Sequence, residues 1–429
     1  LRTASAHETI DAPGFVQVSR CGRHRRILIT VRPSVADTTC EEGEYPMNSW
    51  HLRDLTAATG APHGSGRMVG YVFDAQGTQH VIYAGARLVG NTYIGSIDEL
   101  WWNTHGWHHN DLTAAAGAPL AGGPVAGYVF AAQGTQHVIC GGQDDHVLEL
   151  WWDIFGWHHN DLTAVTGAPS SGDYGFAAYA FNGQGTQHVI YTGQDGHVHE
   201  LWWHINRWHH NDLTAVTGAI NAYLWPVGYV FEAQGTQHVI FVGYDEGDIH
   251  ELWWDTGGWH HNNLSAATGA PPYLTGLAAY MFAAQGTQHV IYVAAEDPNA
   301  NNVQGLHELW WDTNGWHHND LTAAAGAPLP NGVGTPFGYA FNAQGTQHVV
   351  YPGYEYPNHI HELSWDTNGW HHNDLTAAVG APPVDGYNGN TLAGYAFEAQ
   401  GTRHVVYVGG LVGSGPGTKP VYELWWGPT

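Results

Sequence analysis

Side chains able to grip a polyhydroxylated ligand recur at fixed spacing in five segments of the chain. These are Glu99, Trp101, His108 and Asn110; Glu149, Trp151, His158 and Asn160; Glu200, Trp202, His209 and Asn211; Glu251, Trp253, His260 and Asn262; and Glu308, Trp310, His317 and Asn319. A carboxylate accepts hydrogen bonds strongly, an amide donates and accepts, and an indole offers a rigid apolar plane. A pyranose requires this mixture, since it shows a patch of C–H groups ringed by hydroxyls. The same positions could instead be structural, with Trp filling space between packed sheets and Glu and Asn fastening strands. Consecutive His108 and His109 point to opposite faces of a strand and cannot readily share a metal ion. His197 with His199, or His359 with His361, share a face but lack a repeated third ligand, so no metal or cofactor is expected. No carboxylate pair is confined to one segment and no Gly-x-Ser-x-Gly occurs, so no enzyme is expected.

The spacing comes from an internal repeat. Gln-Gly-Thr-Gln-His-Val begins at Gln76, Gln133, Gln184, Gln234, Gln285 and Gln344, and a seventh copy at Gln400 carries Arg403 in place of Gln. Glu-Leu-Trp-Trp begins at Glu99, Glu149, Glu200, Glu251 and Glu308, becomes Glu-Leu-Ser-Trp at Glu362, and returns at Glu423. Trp-His-His-Asn-Asp-Leu-Thr begins at Trp107, Trp157, Trp208, Trp316 and Trp370, with variant copies at Trp50 and Trp259. One period holds four strand-like stretches, illustrated by 228–232, 236–242, 249–254 and 259–264 and here lettered a to d. Gln-Gly joins a to b, and Asp-Thr-Asn-Gly or a relative joins c to d, as turn chemistry demands. Four antiparallel strands per period, seven times over, predict an all-β, seven-bladed β-propeller. A β-solenoid is the alternative, though stacked rungs use shorter repeats.

A type I turn with a left-handed Gly between c and d fixes the expected register. Trp102 then faces Trp107, Trp101 faces His108, Leu100 faces His109 and Glu99 faces Asn110. One sheet face carries Leu100, Trp102, Trp107, His109 and Asp111 and is assigned mainly to packing. The other carries the candidate residues. The first motif met is a lone d strand at 50–56 and the last is a c strand at 423–426, so their pairing would close the ring and remove its exposed edges. The a-to-b and c-to-d joints keep nearly constant length and occupy one rim, while the variable b-to-c and d-to-a joints occupy the other.

Composition narrows the partners. The formal net charge is −26, and residues 1–45 are balanced, so the acidity belongs to the repeats. Such a surface repels nucleic acid and anionic lipid, and no apolar run is long enough to span a membrane. Residues 1–45 form a non-repeating segment before the ring at 46–429. Cys21 and Cys40 in that segment could close a disulfide, which would suit a secreted or extracellular setting, although no signal pattern is visible at Leu1. Cys140 stands where every other copy has an aromatic residue and reads as a small core residue.

The seven copies of the Glu-Leu-Trp-Trp and Trp-His-His-Asn-Asp-Leu-Thr motifs resemble the seven-bladed β-propeller lectins first found in Photorhabdus bacteria, over about residues 46 to 429. The resemblance implies a multivalent carbohydrate binder preferring fucose or O-methylated sugars, with sites between blades. The implied partners are glycans or glycoconjugates, and the chain is open to homodimer formation. A protein-interaction scaffold using the variable rim, or a glycan-cleaving enzyme, are the alternatives. Ser364 replaces a Trp, so the set Glu362, Ser364, His371 and Asn373 should bind weakly or not at all, and the composite repeat offers Glu423 and Trp425 beside His51 and Arg53. Sugar titration into Trp151→Ala and Trp202→Ala variants should show fewer or weaker sites; unchanged affinity and stoichiometry would mean that the wrong face was chosen.

Overall fold

In the computed structural model, which describes residues 48–428 apart from 90–91, 246, 296–302, 386–390 and 411–418, the strands sort into seven antiparallel sheets of four. The disulfide suggested for Cys21 and Cys40 lies outside the described residues. The third blade runs Ser171–Phe181, Thr186–Gly193, Val198–His204 and Arg207–Asp212, and the fourth runs Ala222–Phe231, Thr236–Gly243, Ile249–Asp255 and Gly258–Asn263. The first, second, fifth and sixth blades lie within 64–111, 121–161, 273–320 and 337–374. Strand a of each blade packs on strand a of the next, from Gly64–Phe73 around to Leu392–Phe397 and back to Gly64–Phe73. The result is a closed seven-bladed propeller with strands a innermost. They line a mainly apolar central channel of ≈ 240 Å³ to which all seven contribute.

The seventh blade is shared between the two ends of the repeat region. Asn48–Asp54 pairs with Val421–Pro428, setting Trp50 opposite Trp426, His51 opposite Trp425 and Arg53 opposite Glu423. The c-to-d register matches the sequence expectation as well, with Trp102 opposite Trp107 and Glu99 opposite Asn110.

One local element differs from the sequence reading. Strand d was expected to run through Asp-Leu-Thr, but it stops at the Asp, and a five-residue helix follows, as at Leu213–Thr217. The Asp212 carboxylate accepts the Ala215 N–H, and Gly218 at φ +69° ends the turn in a conformation that favours glycine. Leu213 is fully buried. The Thr214 hydroxyl oxygen accepts the N–H of Val198 at 2.9 Å, tying the helix to the start of strand c. In the seventh blade the same bond runs from Val421 N–H to Thr56 Oγ1 at 2.7 Å and helps latch the ring.

The core lies between blades. A typical cluster combines Ile240 and Leu264 of the fourth blade with Val290 and Leu309 of the fifth. Tyr179 reaches from the third blade to donate its hydroxyl to Gln237 Oε1 of the fourth at 3.2 Å, and Tyr395 does the same to Gln79 across the closure at 3.0 Å. Gly70 admits this stitch, because a Cβ there would stand 2.4 Å from the Tyr395 ring. Cys140 is a free thiol, fully buried in such a cluster, and burial pushes its pKa up to about 12.

Replacing Thr56 by Val should leave the buried Val421 N–H without an acceptor and cost about 1–3 kcal/mol of stability. Urea unfolding checks this, and Thr56→Ser should recover most of the loss, because Ser265 fills the equivalent role at Ile249 in the fourth blade.

Candidate functional site

Every blade holds a buried carboxylate on strand c. In the third blade Glu200 Oε1 lies 2.8 Å from His188 Nδ1 on strand b, and Oε2 accepts from Asn211 Nδ2 on strand d at 2.7 Å. His188 Nε2 in turn lies 2.8 Å from the Thr186 hydroxyl. All groups are satisfied when Nδ1–H donates to the carboxylate and the hydroxyl donates to Nε2. Thr135, His137, Glu149 and Asn160 repeat the arrangement, as do Thr236, His238, Glu251 and Asn262. The first and fifth blades match through Glu99 with Asn110 and Glu308 with Asn319. In the seventh, Arg53 replaces the Asn and contacts Glu423 at 3.5 Å.

Next to this network a cleft opens between adjacent blades. Glu200, Trp202 and Asn211 of the third blade line one side with Thr186 and His188, and Gln237, Trp254 and Trp259 of the fourth blade line the other, around ≈ 120 Å³. The next cleft, ≈ 250 Å³, repeats the pattern with Glu251, Trp253 and Asn262 against Gln288, Trp311 and Trp316. The indole Nε1 atoms of Trp101, Trp202 and Trp253 are buried without a hydrogen-bond partner. In the third-to-fourth cleft Asn211 keeps its carbonyl oxygen as an acceptor after binding Glu200, and Gln237 keeps its NH₂ as a donor after accepting from Tyr179.

The candidate residues thus separate into two groups. Glu, Trp and Asn of each set share the cleft face. His108, His158, His209, His260 and His317 instead stack on the neighbouring Trp at 4.2–4.4 Å. His158, His260 and His317 also bind the turn Asp at 3.0 Å. His209 and His260 do not line the two clefts described, but His209 lines a separate concavity of ≈ 460 Å³ with Trp202, His204, Ile205 and Arg207. Conversely, the face assigned to packing does more than pack: Trp254 meets Phe181 edge-on at 6.5 Å and also walls the cleft. The Thr, His and second Gln of the hexapeptide were missed as cleft residues, although its near-perfect repetition marked it.

The gap between the sixth and seventh blades is built differently. Arg403 stands where other blades carry the stitching Gln, and Tyr339 Oη accordingly has no partner. The guanidinium lies 5.1 Å from the Trp50 ring and 4.9 Å from Trp426, with Nη1 2.8 Å from His348 Nδ1 and 3.4 Å from Glu362. Burial alone would raise the Glu362 pKa, but Arg403 first and then His348 hold it below the usual carboxylate value. An internal cation therefore occupies the space between indoles and carboxylate, and Ser364 supplies no indole of its own.

Four pairs of histidines meet between strands c and d. His199 meets His210 at 3.0 Å, His250 meets His261 at 3.0 Å, His307 meets His318 at 2.8 Å and His361 meets His372 at 2.9 Å. His197 Nδ1 lies 2.8 Å from Asp212 Oδ2, and His359 Nδ1 lies 2.8 Å from Asp374 Oδ2. Among the described residues no group of three or more His, Cys, Asp or Glu is arranged to hold a metal.

No protein-family model matches the chain, and no curated protein does. Solved structures do. AofleA from Arthrobotrys oligospora is 16% identical with a TM-score of 0.50, over 76% of this chain and 89% of that one. SapL1 lectin in complex with alpha methyl fucoside is 16% identical with a TM-score of 0.47, over 73% and 96%. The Hadza microbial sialidase Hz136 is 14% identical with a TM-score of 0.44, over 74% and 66%. At such an identity the likeness to AofleA concerns the fold alone.

Burial lowers the pKa of His250 to about 4, with His261 adding to the effect, and burial lowers His307 to about 4. The unfolded chain takes up these protons near 6.5 and the folded chain resists them, so stability should fall as pH drops from 6.5 towards 4. His146, raised by its bond to Asp161, works in the opposite sense. Melting temperature followed against pH should show the decline, and His250→Phe with His307→Phe should make it shallower, the other lowered histidines such as His210 and His348 keeping part of it.

Proposed function

We propose that the chain is a multivalent carbohydrate-binding protein whose repeated sites are the clefts between blades. The observation that carries this reading is the set of buried, unpartnered indole N–H groups at Trp101, Trp202 and Trp253, of which Trp202 and Trp253 line the two clefts described. A buried donor without an acceptor is costly, and a sugar ring oxygen or hydroxyl would supply one. The rest of the cleft fits the same ligand. Asn211 offers an acceptor, Gln237 a donor, and Trp254 and Trp259 an apolar wall for C–H groups. Glu200 already receives bonds from His188 and Asn211 on its two oxygens, which suits a fixed acceptor better than a proton-transferring catalyst.

The preference proposed is for fucose or O-methylated sugars, following the resemblance of the repeats to the Photorhabdus-type propeller lectins. Either ligand adds a methyl group that an indole wall would remove from water, a gain of about 0.8 kcal/mol per buried carbon. Several rigidly spaced sites would raise avidity on a glycan-coated surface by roughly 10² to 10⁴. Such a protein would act outside the cell, as a secreted lectin.

A glycan array should show binding to several related fucosylated or O-methylated glycans without product release; a blank array, or turnover from one centre, would overturn the reading. Calorimetry with methyl α-L-fucoside adds a sharper check. The Arg403→Gln, Ser364→Trp double variant removes the internal cation and restores an indole, and it should bind one more equivalent of sugar than the parent chain.

A further inference from the structure

The opposite rim carries a larger cavity that the repeat does not explain. It measures ≈ 570 Å³ and lies over the third blade, reaching Asp145 of the second and Tyr223 and Tyr244 of the fourth. This volume falls within the range of small-ligand pockets. The wall is made by the entrance to the fourth blade, where the chain departs from its own pattern. In six copies the Gly-Ala after the short helix is followed by Pro, at Pro62, Pro119, Pro169, Pro271, Pro328 and Pro382, but here by Ile220. In five of those six copies a strand-b Tyr hydroxyl donates to that Pro carbonyl, as Tyr191 does to Pro169 at 2.8 Å. The fourth blade has Phe241 instead, which has no hydroxyl to give.

The segment keeps two backbone bonds of the repeat, Ala222 N–H to Gly196 O at 2.8 Å and Tyr244 N–H to Asn221 O at 3.0 Å, as Ser171 N–H bonds to Asp145 O and Gln194 N–H to Ser170 O one blade earlier. It adds a bond from Thr192 Oγ1–H to Leu224 O at 2.7 Å. Leu224 takes φ +71°, a left-handed conformation that non-glycine residues seldom adopt, just after Tyr223. Tyr223 and Tyr244 are 46% and 66% exposed and meet edge to face at 6.0 Å, which leaves a ring face open to solvent. Around them stand Asp145, Asp195, Gln194 and Asn221. Gln194 Nε2 donates to Asp145 at 3.0 Å and Asn221 Nδ2 to the Asp195 carbonyl at 3.3 Å, so both amides are oriented and keep their carbonyl oxygens as acceptors. Asp195 accepts from His197 N–H and His199, and these bonds outweigh burial to hold its pKa below the usual carboxylate value.

We propose that this cavity is a second kind of saccharide site, present at one place on the variable rim and taking a neutral oligosaccharide. The tyrosine rings supply a stacking surface, and the carboxylates and amides supply acceptors for hydroxyl donors. Two carboxylates in one concavity repel sialylated or sulfated glycans, which sets the charge of the ligand. The inference goes beyond the inter-blade reading and stands or falls separately from it.

The test is a glycan array of neutral, sialylated and sulfated glycans probed with the full chain, a Tyr223→Ser, Tyr244→Ser variant and a Trp202→Ala, Trp253→Ala variant. Both tyrosines are exposed, so the first variant should melt as the parent does. The expected result is at least one neutral glycan whose binding drops about tenfold or more in the tyrosine variant and survives in the tryptophan variant. Array profiles that coincide for the parent and the tyrosine variant would overturn the second site while leaving the inter-blade sites untouched. A parent chain that binds no glycan would overturn both, and loss of all binding in the tyrosine variant alone would leave this rim as the sugar site.

Discussion

A carboxylate taken out of water needs donors close at hand, and the strand-c Glu is out of water in all seven blades: Glu99, Glu149, Glu200, Glu251, Glu308, Glu362 and Glu423 are each at most 3% exposed. The donors come from the strands on either side, His from strand b and Asn or Arg from strand d. Three strands are thereby held in one register by charge satisfaction, in addition to their backbone ladder. Removing one partner of such a group typically costs about 3–5 kcal/mol, whereas a wholly apolar replacement costs little. The polar network is therefore better understood as fixing register, and with it the indole that projects two residues further along strand c.

Once register is fixed, the cleft follows from the closure of the ring. Each of the first five blades presents Glu, Trp and Asn on one face, every blade presents a pair of Trp residues on the other, and a complete cleft needs one face of each kind. An isolated blade has half a site. Because the ring is closed through Val421–Pro428 and Asn48–Asp54, every face has a partner, including the composite one. Arg403 shows what the enclosed space attracts, because a planar cation settles between Trp50, Trp426 and Glu362.

Much of this was legible in the chain itself. Exact repetition gave the blade count, the turn between c and d gave the register, and the split repeat gave the closure. What the sequence hid was the partner across each gap. Tyr179 and Gln237 touch at a separation of 58 residues, and nothing local to either residue announces the contact. For the same reason Trp254 was placed on a packing face: period-two alternation tells which residues share a face but not what that face meets. The short helix was obscured differently. In Asp212-Leu213-Thr214 the alternation continues past the strand, while the Asp is already serving as a helix cap. The His of each candidate set lay on the expected face, stacked on the indole of its own blade.

The two rims answer to different constraints. On the constant rim, the a-to-b and c-to-d joints end strands whose last residues build the clefts, so a change in length would shift a Trp or a Thr out of register with the blade beside it. On the other rim, the joints lie beyond the buried Glu, and a length change there is absorbed at the surface. Variation can therefore accumulate on that rim without loss of the repeated geometry. The entrance to the fourth blade shows how far this freedom extends: the loss of one Pro and one Tyr hydroxyl coincides with a left-handed Leu224 and an open concavity, while Glu251, Trp253 and Asn262 of the same blade keep their places. A repeat fold can thus hold many equal sites on one side and allow a single unlike site to arise on the other.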